Sequence, residues 1–525
     1  MTNAEARATR DTPAGVADAP TRRAVILAGG GMRVAYQAGV LRAMAEAGLR
    51  FFHGDGTSGG TINLAMLLSG LTADQMCERW RTLDVKSFGT LLPIHAYLDA
   101  PHLMGLGSGD GVRNAVFPHL GIDTDRIRAT RAMTGTFNVC NFTRKTAEVI
   151  AHTEIDLDLL VACISLPIFM PPVRARGADW TDAVWIKDAN LLESVRRGAD
   201  ELWLIWCIGN TPTYYPGAFR QYVHMIEMSA NGALFEELAQ ITAINERIAA
   251  GERPFGRTRP IVLHVIKPRY ALPLDPDFYF GRIDARTLID LGYADCWRYL
   301  ATADAGGVPL TPEATQMSDE PLGITFREQM TGPFALGATD PRAGESDATR
   351  AGTNLTMHAT VTVRDVDRFV SDPEHTGELM GEIDFAPFGS GIAAQRGVFK
   401  LFSPSDDPRL RYMVYELAFR HDGDDYYLAG KKEVRDDPGF DMLSDTTTLY
   451  TRLYKGRDAT GTVVGAGVLR LDMGDFAKLL TTIRPVGATS ALEGAKAVER
   501  FGRFFAGQLI ESYGGALGRP IGADT

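Results

Sequence analysis

The chain is 525 residues long, 45% hydrophobic and 23% charged, a soluble globular composition too long for one ordinary core, so two or three domains are expected. Its formal net charge of −11 argues against a nucleic-acid partner, whose affinity would come from Lys and Arg neutralising phosphates. The five cysteines (Cys77, Cys140, Cys163, Cys207 and Cys296) are dispersed and show no CxxC spacing. That pattern argues against a metal cluster and fits reduced thiols in a reducing, cytoplasmic compartment. Residues 1–21, rich in Ala, Thr, Asp, Pro and Arg, hold no apolar core of signal-peptide length and read as a disordered tail. No apolar run reaches membrane-spanning length, so contact with lipid is expected to be peripheral or through a pocket.

Arg23 to Ala28 is a short, mostly apolar run that predicts a buried parallel strand. It leads into Gly29-Gly30-Gly31-Met32-Arg33-Val34 and then a helix with Val34, Ala38, Leu41 and Met44 at helical spacing, stopped by Gly48. Strand, triple glycine, helix is a way of presenting backbone N–H groups to an anion. A dinucleotide loop is one use, but Val34 stands where the third fingerprint glycine belongs and no acidic residue ends a second strand at the usual distance. The other use is an oxyanion hole. Three successive glycines are costly for a merely structural turn.

The next signal is Gly56-Thr57-Ser58-Gly59-Gly60, between the apolar runs Leu49–Phe52 and Ile62–Leu68. It fits a nucleophile elbow, whose glycines relieve clashes where a serine sits on a sharp strand-to-helix turn. Adjacent His53 reads as a packing residue. Trp80, Leu91 to Tyr97 and Val112 to Leu120 predict helices and loops over a pocket, and Gly107 to Gly111, lacking a P-loop lysine, reads as a turn. Thr136–Cys140 and Ala147–His152 predict strands. Leu159 to Val173 reads as a core helix ended by prolines, with Ser165 as a structural hydroxyl. After Asp182 and Asp188 come Gly198-Ala199-Asp200, an apolar strand Leu202–Ile208, an amphipathic helix over 221–250, a strand Pro260–Ile266 and a helix capped by Asp284.

Gly29-Gly30-Gly31-Met32-Arg33, Gly39-Val40-Leu41 and the elbow together resemble the opening of a patatin-like phospholipase. Ala162, Ser165, Pro167, Pro171, Pro172 and Val173 match a further stretch of that family, and the resemblance spans about residues 22–303. It implies a three-layer α/β domain with a mostly parallel sheet. It also implies ester hydrolysis of a lipid or acyl-ester substrate through a Ser–Asp dyad, with no catalytic histidine, metal or cofactor. On this reading Ser58 is the nucleophile and Asp188 the base, with Asp182 the alternative carboxylate. Gly29, Gly30, Gly31 and Gly59 form the oxyanion hole, and Arg33 adds positive charge. The chain departs from the family pattern at Val34 and at Ala189-Asn190, where glycines are usual. An acyltransferase with the same dyad, and a lipid- or sterol-binding protein that has lost catalysis, remain alternatives of different outcome.

Residues 304–321 have linker composition. Beyond 322 the texture changes to alternating strands, at Thr356–Val363, Tyr412–Phe419, Tyr426–Leu428, Thr447–Leu453 and Val468–Leu471, closed by a helix over Ala495–Tyr513. This predicts an antiparallel β-rich accessory domain over 322–525. Phe326 to Gly332, Lys432 to Gly439 and Phe501 to Gly507 resemble a domain attached to some actinobacterial sterol oxidases. The charged run Lys431 to Asp437 reads as a solvated loop, and the domain is expected to help bind or shield an apolar substrate. Oligomeric state and head-group preference leave no trace in the sequence.

Overall fold

The computed structural model describes residues 21–88, 90–91, 103–279, 281–407, 409–435 and 446–513. The tail over 1–20, nearly all of the segment Leu91–Tyr97, and residues 436–439 of the Lys432–Gly439 stretch lie outside the described residues. In chain order the first unit holds β1 (Arg23–Leu27), β2 (His53–Thr57), a two-residue ribbon of β3 (Thr90–Leu91) and β4 (Gly107–Ser108), β5 (Thr134–Asn141), β6 (Thr146–Ala151), β7 (Val173–Ala175), β8 (Ala178–Asp182), β9 (Glu201–Ile205) and β10 (Val262–Ile266).

The main sheet runs β10-β9-β1-β2-β5-β8-β7, with β6 on β5. β10, β9, β1, β2 and β5 are parallel to one another, and the pairings of β5 with β6, β5 with β8 and β7 with β8 are antiparallel. β1 is apolar on both faces because both are covered: Val25 and Leu27 join one core cluster, Ala24 and Ile26 another. β2 is the opposite case. Its residues His-Gly-Asp-Gly-Thr are all buried, while the apolar run Leu49–Phe52 expected to lead into the elbow only precedes it. Glycine is needed at 56 because an added Cβ would lie 3.1 Å from Leu64 Cβ on the helix behind.

The second unit is a closed antiparallel barrel. Its strands are β11 (Gly323–Leu336), β12 (Asn354–Val363), β13 (Thr376–Phe385), β14 (Gly389–Pro404), β15 (Leu410–His421), β16 (Asp424–Arg435), β17 (Thr448–Lys455) and β18 (Thr462–Arg470), with the short β19 (Arg484–Val486) beside β11. β11 closes the ring by pairing with β12 through Ile324 to Pro333 and with β18 through Thr331 to Leu336. Closure leaves the ring without edge strands. Met413, Tyr415, Leu417 and Phe419 share the core face of β15, as their alternation predicts.

Two expectations change. The Lys431–Asp437 run is not a solvated loop as far as Arg435: it lies in β16, and Lys432 is buried with its Nζ 3.2 Å from the Tyr415 hydroxyl and 3.7 Å from Glu328. Burial therefore depresses the Lys432 pKa, with Glu328 opposing. The three stretches singled out beyond residue 322 meet here, since Glu328 faces Lys432 and the Phe326 ring lies 6.1 Å from Phe501. The linker-like segment is also docked rather than loose: Val308 N–H donates to Leu263 O at 2.7 Å, Met317 N–H to Asn210 O at 2.8 Å, and Met317 is buried.

The units are joined by buried charge. Glu382 of β13 is 0% exposed and accepts Arg81 Nη2 at 2.6 Å, while its other oxygen pairs with Arg286. Arg42 Nη1 also donates to Gly391 O at 2.5 Å. Removing one partner of such a group leaves uncompensated charge out of water. We therefore expect Glu382→Ala to cost about 3–5 kcal/mol, read as a lower urea midpoint, whereas exposed Glu499→Ala should change it by less than about 0.5 kcal/mol.

Candidate active site

The site is built where β1 and β2 end side by side. Their parallel register pairs Ile26 with Asp55 and Leu27 with Gly56, so the chain leaves both strands at one edge of the sheet. After β1 it forms the glycine loop and then helix α1 (Ala35–Glu46); after β2 it turns through Ser58 into helix α2 (Gly59–Leu68). Ser58 has φ 51° and ψ −131°, a strained backbone for a residue with a Cβ, and it is buried. Gly60 is required by contact: an added Cβ would overlap Leu27 O and lie 2.7 Å from Ala28 O.

Below the turn lies a buried polar network. Asp55 accepts from Thr136 Oγ1 at 2.5 Å and Asn138 Nδ2 at 2.7 Å, and burial nonetheless pushes its pKa up to about 7. Asn138 Nδ2 also reaches Thr57 Oγ1 at 2.9 Å, tying β5 to the residue before the serine. His53 lies within hydrogen-bonding range of Thr134 at 2.9 Å and Thr136 at 3.2 Å. Burial lowers its pKa to about 3, which leaves it a neutral packing residue under the elbow. A second chain fixes the helices: Gln37 Nε2 donates to Ala28 O at 2.6 Å, Asn63 Nδ2 to Val34 O at 2.8 Å, and Trp80 Nε1 to Asn63 Oδ1 at 2.8 Å.

In the glycine loop the amides divide. Gly29 N–H donates to Asp188 Oδ2 at 2.9 Å and Met32 N–H to Asp275 Oδ1 at 3.1 Å. Gly30, at φ 153°, turns its carbonyl to Arg33, which donates through Nε at 2.9 Å and its own N–H at 3.2 Å. The Gly30 and Gly31 amides have no protein partner among the described residues. Gly59 stands at the first turn of α2, close to Gly31: an added Cβ would be 3.3 Å from Gly31 N. Arg33 therefore acts on the loop chiefly by holding the Gly30 carbonyl.

Two buried aspartates approach the serine. Asp182 ends β8, where it pairs with Val139 of β5. Its Oδ1 accepts Val184 N–H at 2.9 Å, and the Ser58 hydroxyl comes near enough to favour its charged form, although Oδ2 lacks a hydrogen bond of good geometry. Burial pushes the Asp182 pKa up to about 7, against the pull of Ser58 and Val184. Asp188 and Ser58 both face the α-carbon of Gly29: an added Cβ there would overlap Asp188 Oδ1 and lie 2.8 Å from Ser58 Cβ. Burial first, then the charge of Asp182, hold the Asp188 pKa well above the usual carboxylate range.

Asn190 explains one departure in the sequence. Its Oδ1 accepts Glu193 N–H at 3.3 Å, capping the helix Leu191–Arg196, and its Nδ2 donates to Asn138 Oδ1 at 2.9 Å. Ser165 is structural as read: Oγ donates to Val161 O at 2.9 Å, and its carbonyl accepts Asp182 N–H at 3.1 Å. Beyond it the chain is strained at Ile168 (φ 78°), which is exposed, as is Phe169; Phe169 packs edge-on against Phe219 and Tyr222. Tyr222 in turn donates to Pro167 O at 2.9 Å. Among the described residues no helix is long and apolar enough to cross a membrane, and all five cysteines are buried and unpaired.

Residues 25–194 match the family model described as patatin-like phospholipase. The matched span holds the glycine loop, the elbow and both aspartates of this patatin-like domain. Among solved structures, the crystal structure of VipD from Legionella pneumophila aligns at 10% identity with a TM-score of 0.32, covering 54% of this chain and 67% of that one. No curated protein matches the chain. The close approach of the two loops predicts that Gly60→Ala, which forces a methyl group onto the end of β1, costs about 1–3 kcal/mol or more. Urea unfolding measures it; an unchanged midpoint would contradict the packing described here.

Proposed function

We propose that the protein is a serine-dependent lipid acyl hydrolase in which Asp182, not Asp188, is the base for Ser58. The observation that carries this reading is that the Ser58 hydroxyl comes near enough to Asp182 to favour its charged form, with the Gly30 and Gly31 amides without a protein partner among the described residues. Asp182 takes the hydroxyl proton as Ser58 Oγ attacks the acyl carbonyl. The carbonyl oxygen becomes an oxyanion received by the Gly30 and Gly31 N–H groups, with Gly59 at the helix end adding a third donor. Collapse expels the alcohol, which leaves with the proton from Asp182. Water, losing a proton to the same carboxylate, then releases the fatty acid from the acyl-serine.

Asp188 has a different task. It holds Gly29 N–H, and so the start of the loop, while burial and the charge of Asp182 raise its pKa. The exposed Ile168, Phe169 and Phe219 beside Tyr222 form an apolar rim suited to a lipid surface. The resemblance of the barrel to a domain of sterol oxidases is kept as a reading of stretches that meet around Lys432, with no chemical step assigned to it.

Ser58→Ala is expected to abolish labelling by a fluorophosphonate probe and hydrolysis of a long-chain ester. Asp182→Asn should lower kcat by about 10²–10⁴, and Asp188→Asn, which retains an acceptor for Gly29, by much less. A reversed ranking would sink the assignment of the base. Because the base works ionised and its pKa is raised to about 7, kcat/KM should be level above that pH and fall about tenfold per unit below it. A profile level down to about pH 5 would show that another group sets the base. Ile168→Glu with Phe219→Glu is expected to reduce sedimentation with phospholipid vesicles while sparing hydrolysis of a short soluble ester.

A further inference from the structure

A cavity of about 900 Å³ lies between the two units, remote from Ser58 in its lining. One wall is the helix Ala285–Thr302, which presents Leu291, Ala294 and Trp297; the other is the barrel, with Leu379 and Phe419. Although the protein carries a net charge of −11, this cavity gathers seven arginines against four carboxylates. The carboxylates are all engaged: Asp295 with Arg298, Glu320 and Glu378 with Arg364, and Asp425 with Arg420 and Arg457.

That leaves three guanidinium groups, of which Arg396 donates through Nη2 to Arg457 O at 2.8 Å. Arg484, half-buried on β19, has no carboxylate at ion-pair distance and no hydrogen bond among the described residues, and burial lowers its pKa. Arg269, at the exposed rim, has among the described residues only the face of Tyr270 at 5.1 Å, whose ring also lies 4.8 Å from Arg364. The carboxylates of Asp277, Glu320 and Asp284 act on Arg484 only from beyond ion-pair distance, and a cavity holding such a half-buried guanidinium beside an apolar wall is completed by an anion with an apolar body. Its volume falls within the range of small-molecule sites.

We propose that this interdomain cavity binds an amphipathic anion, a single acyl chain bearing a carboxylate or phosphate, with the head on Arg484 and Arg269 and the chain against Leu291, Trp297 and Phe419. A neutral sterol or alcohol would leave both cations unanswered. The site is independent of the esterase reading and can be tested without turnover.

The full chain carrying Ser58→Ala would be titrated calorimetrically with oleate, oleoyl lysophosphatidate and oleyl alcohol, each below its aggregation concentration. Saturable binding of at least one anion is expected, at least about tenfold tighter than that of the alcohol. Which anion binds tighter separates a fatty-acid head from a lipid phosphate. Arg269→Gln with Arg484→Gln should weaken anion binding about tenfold or more while leaving the alcohol unchanged. Leu291→Trp, which fills the apolar side and removes no charge, should block the anion in a protein whose melt is checked by circular dichroism. Equal affinity for alcohol and anions, no saturable anion binding, or undiminished anion binding in either folded variant would overturn the proposal.

Discussion

The parallel pairing of β1 with β2 is the constraint on which the site depends. Level strand ends bring two separate turns to one edge of the sheet: a glycine loop with free amides and an elbow with a hydroxyl. Each turn closes one backbone hydrogen bond of its own, Arg33 N–H to Gly30 O and Thr61 N–H to Ser58 O, and is held further from outside. The glycine loop is held by Arg33 on the Gly30 carbonyl and by Asp188 and Asp275 on the flanking amides, and the elbow by Gly60 against the end of β1. These contacts are made in advance of any substrate, the condition for amides to stabilise developing charge without rearranging.

The two aspartates illustrate how one buried region sets different environments for the same side chain. Both lose water and both are pushed upward, but Asp182 receives compensation from Val184 N–H and the Ser58 hydroxyl, while Asp188 also feels the charge of Asp182. Two carboxylates so placed do not ionise together cheaply. The more readily ionised one is the one facing the hydroxyl.

Much of this was legible in the sequence, for physical reasons that differ by element. The glycine loop and the elbow are visible because only glycine meets their backbone and contact demands, and the barrel strands because one face is buried and the other is not. β2 is invisible to such reasoning: it is glycine and polar residues, and its burial depends on Thr134, Thr136 and Asn138 in a distant strand. Asp188 stood out as the carboxylate ahead of Ala189-Asn190, and Asn190 proves to cap a helix. The available signal for Asp182 was its place at the end of the strand Ala178–Asp182. Lys432 misleads for a similar reason: its counter-charge, Glu328, is supplied by another strand of the ring. Closure of the ring through β11 is non-local and leaves no local pattern.

The backbone at Ser58 carries one more implication. At φ 51° with ψ −131° it occupies a region that glycine enters freely and a side-chain-bearing residue does not. Replacing the serine by glycine would thus relax the fold by roughly 1 kcal/mol even as it deleted the hydroxyl. On the proposed reading the sturdier polypeptide would be the inert one, so that at this single position durability and the proposed chemistry ask for different amino acids.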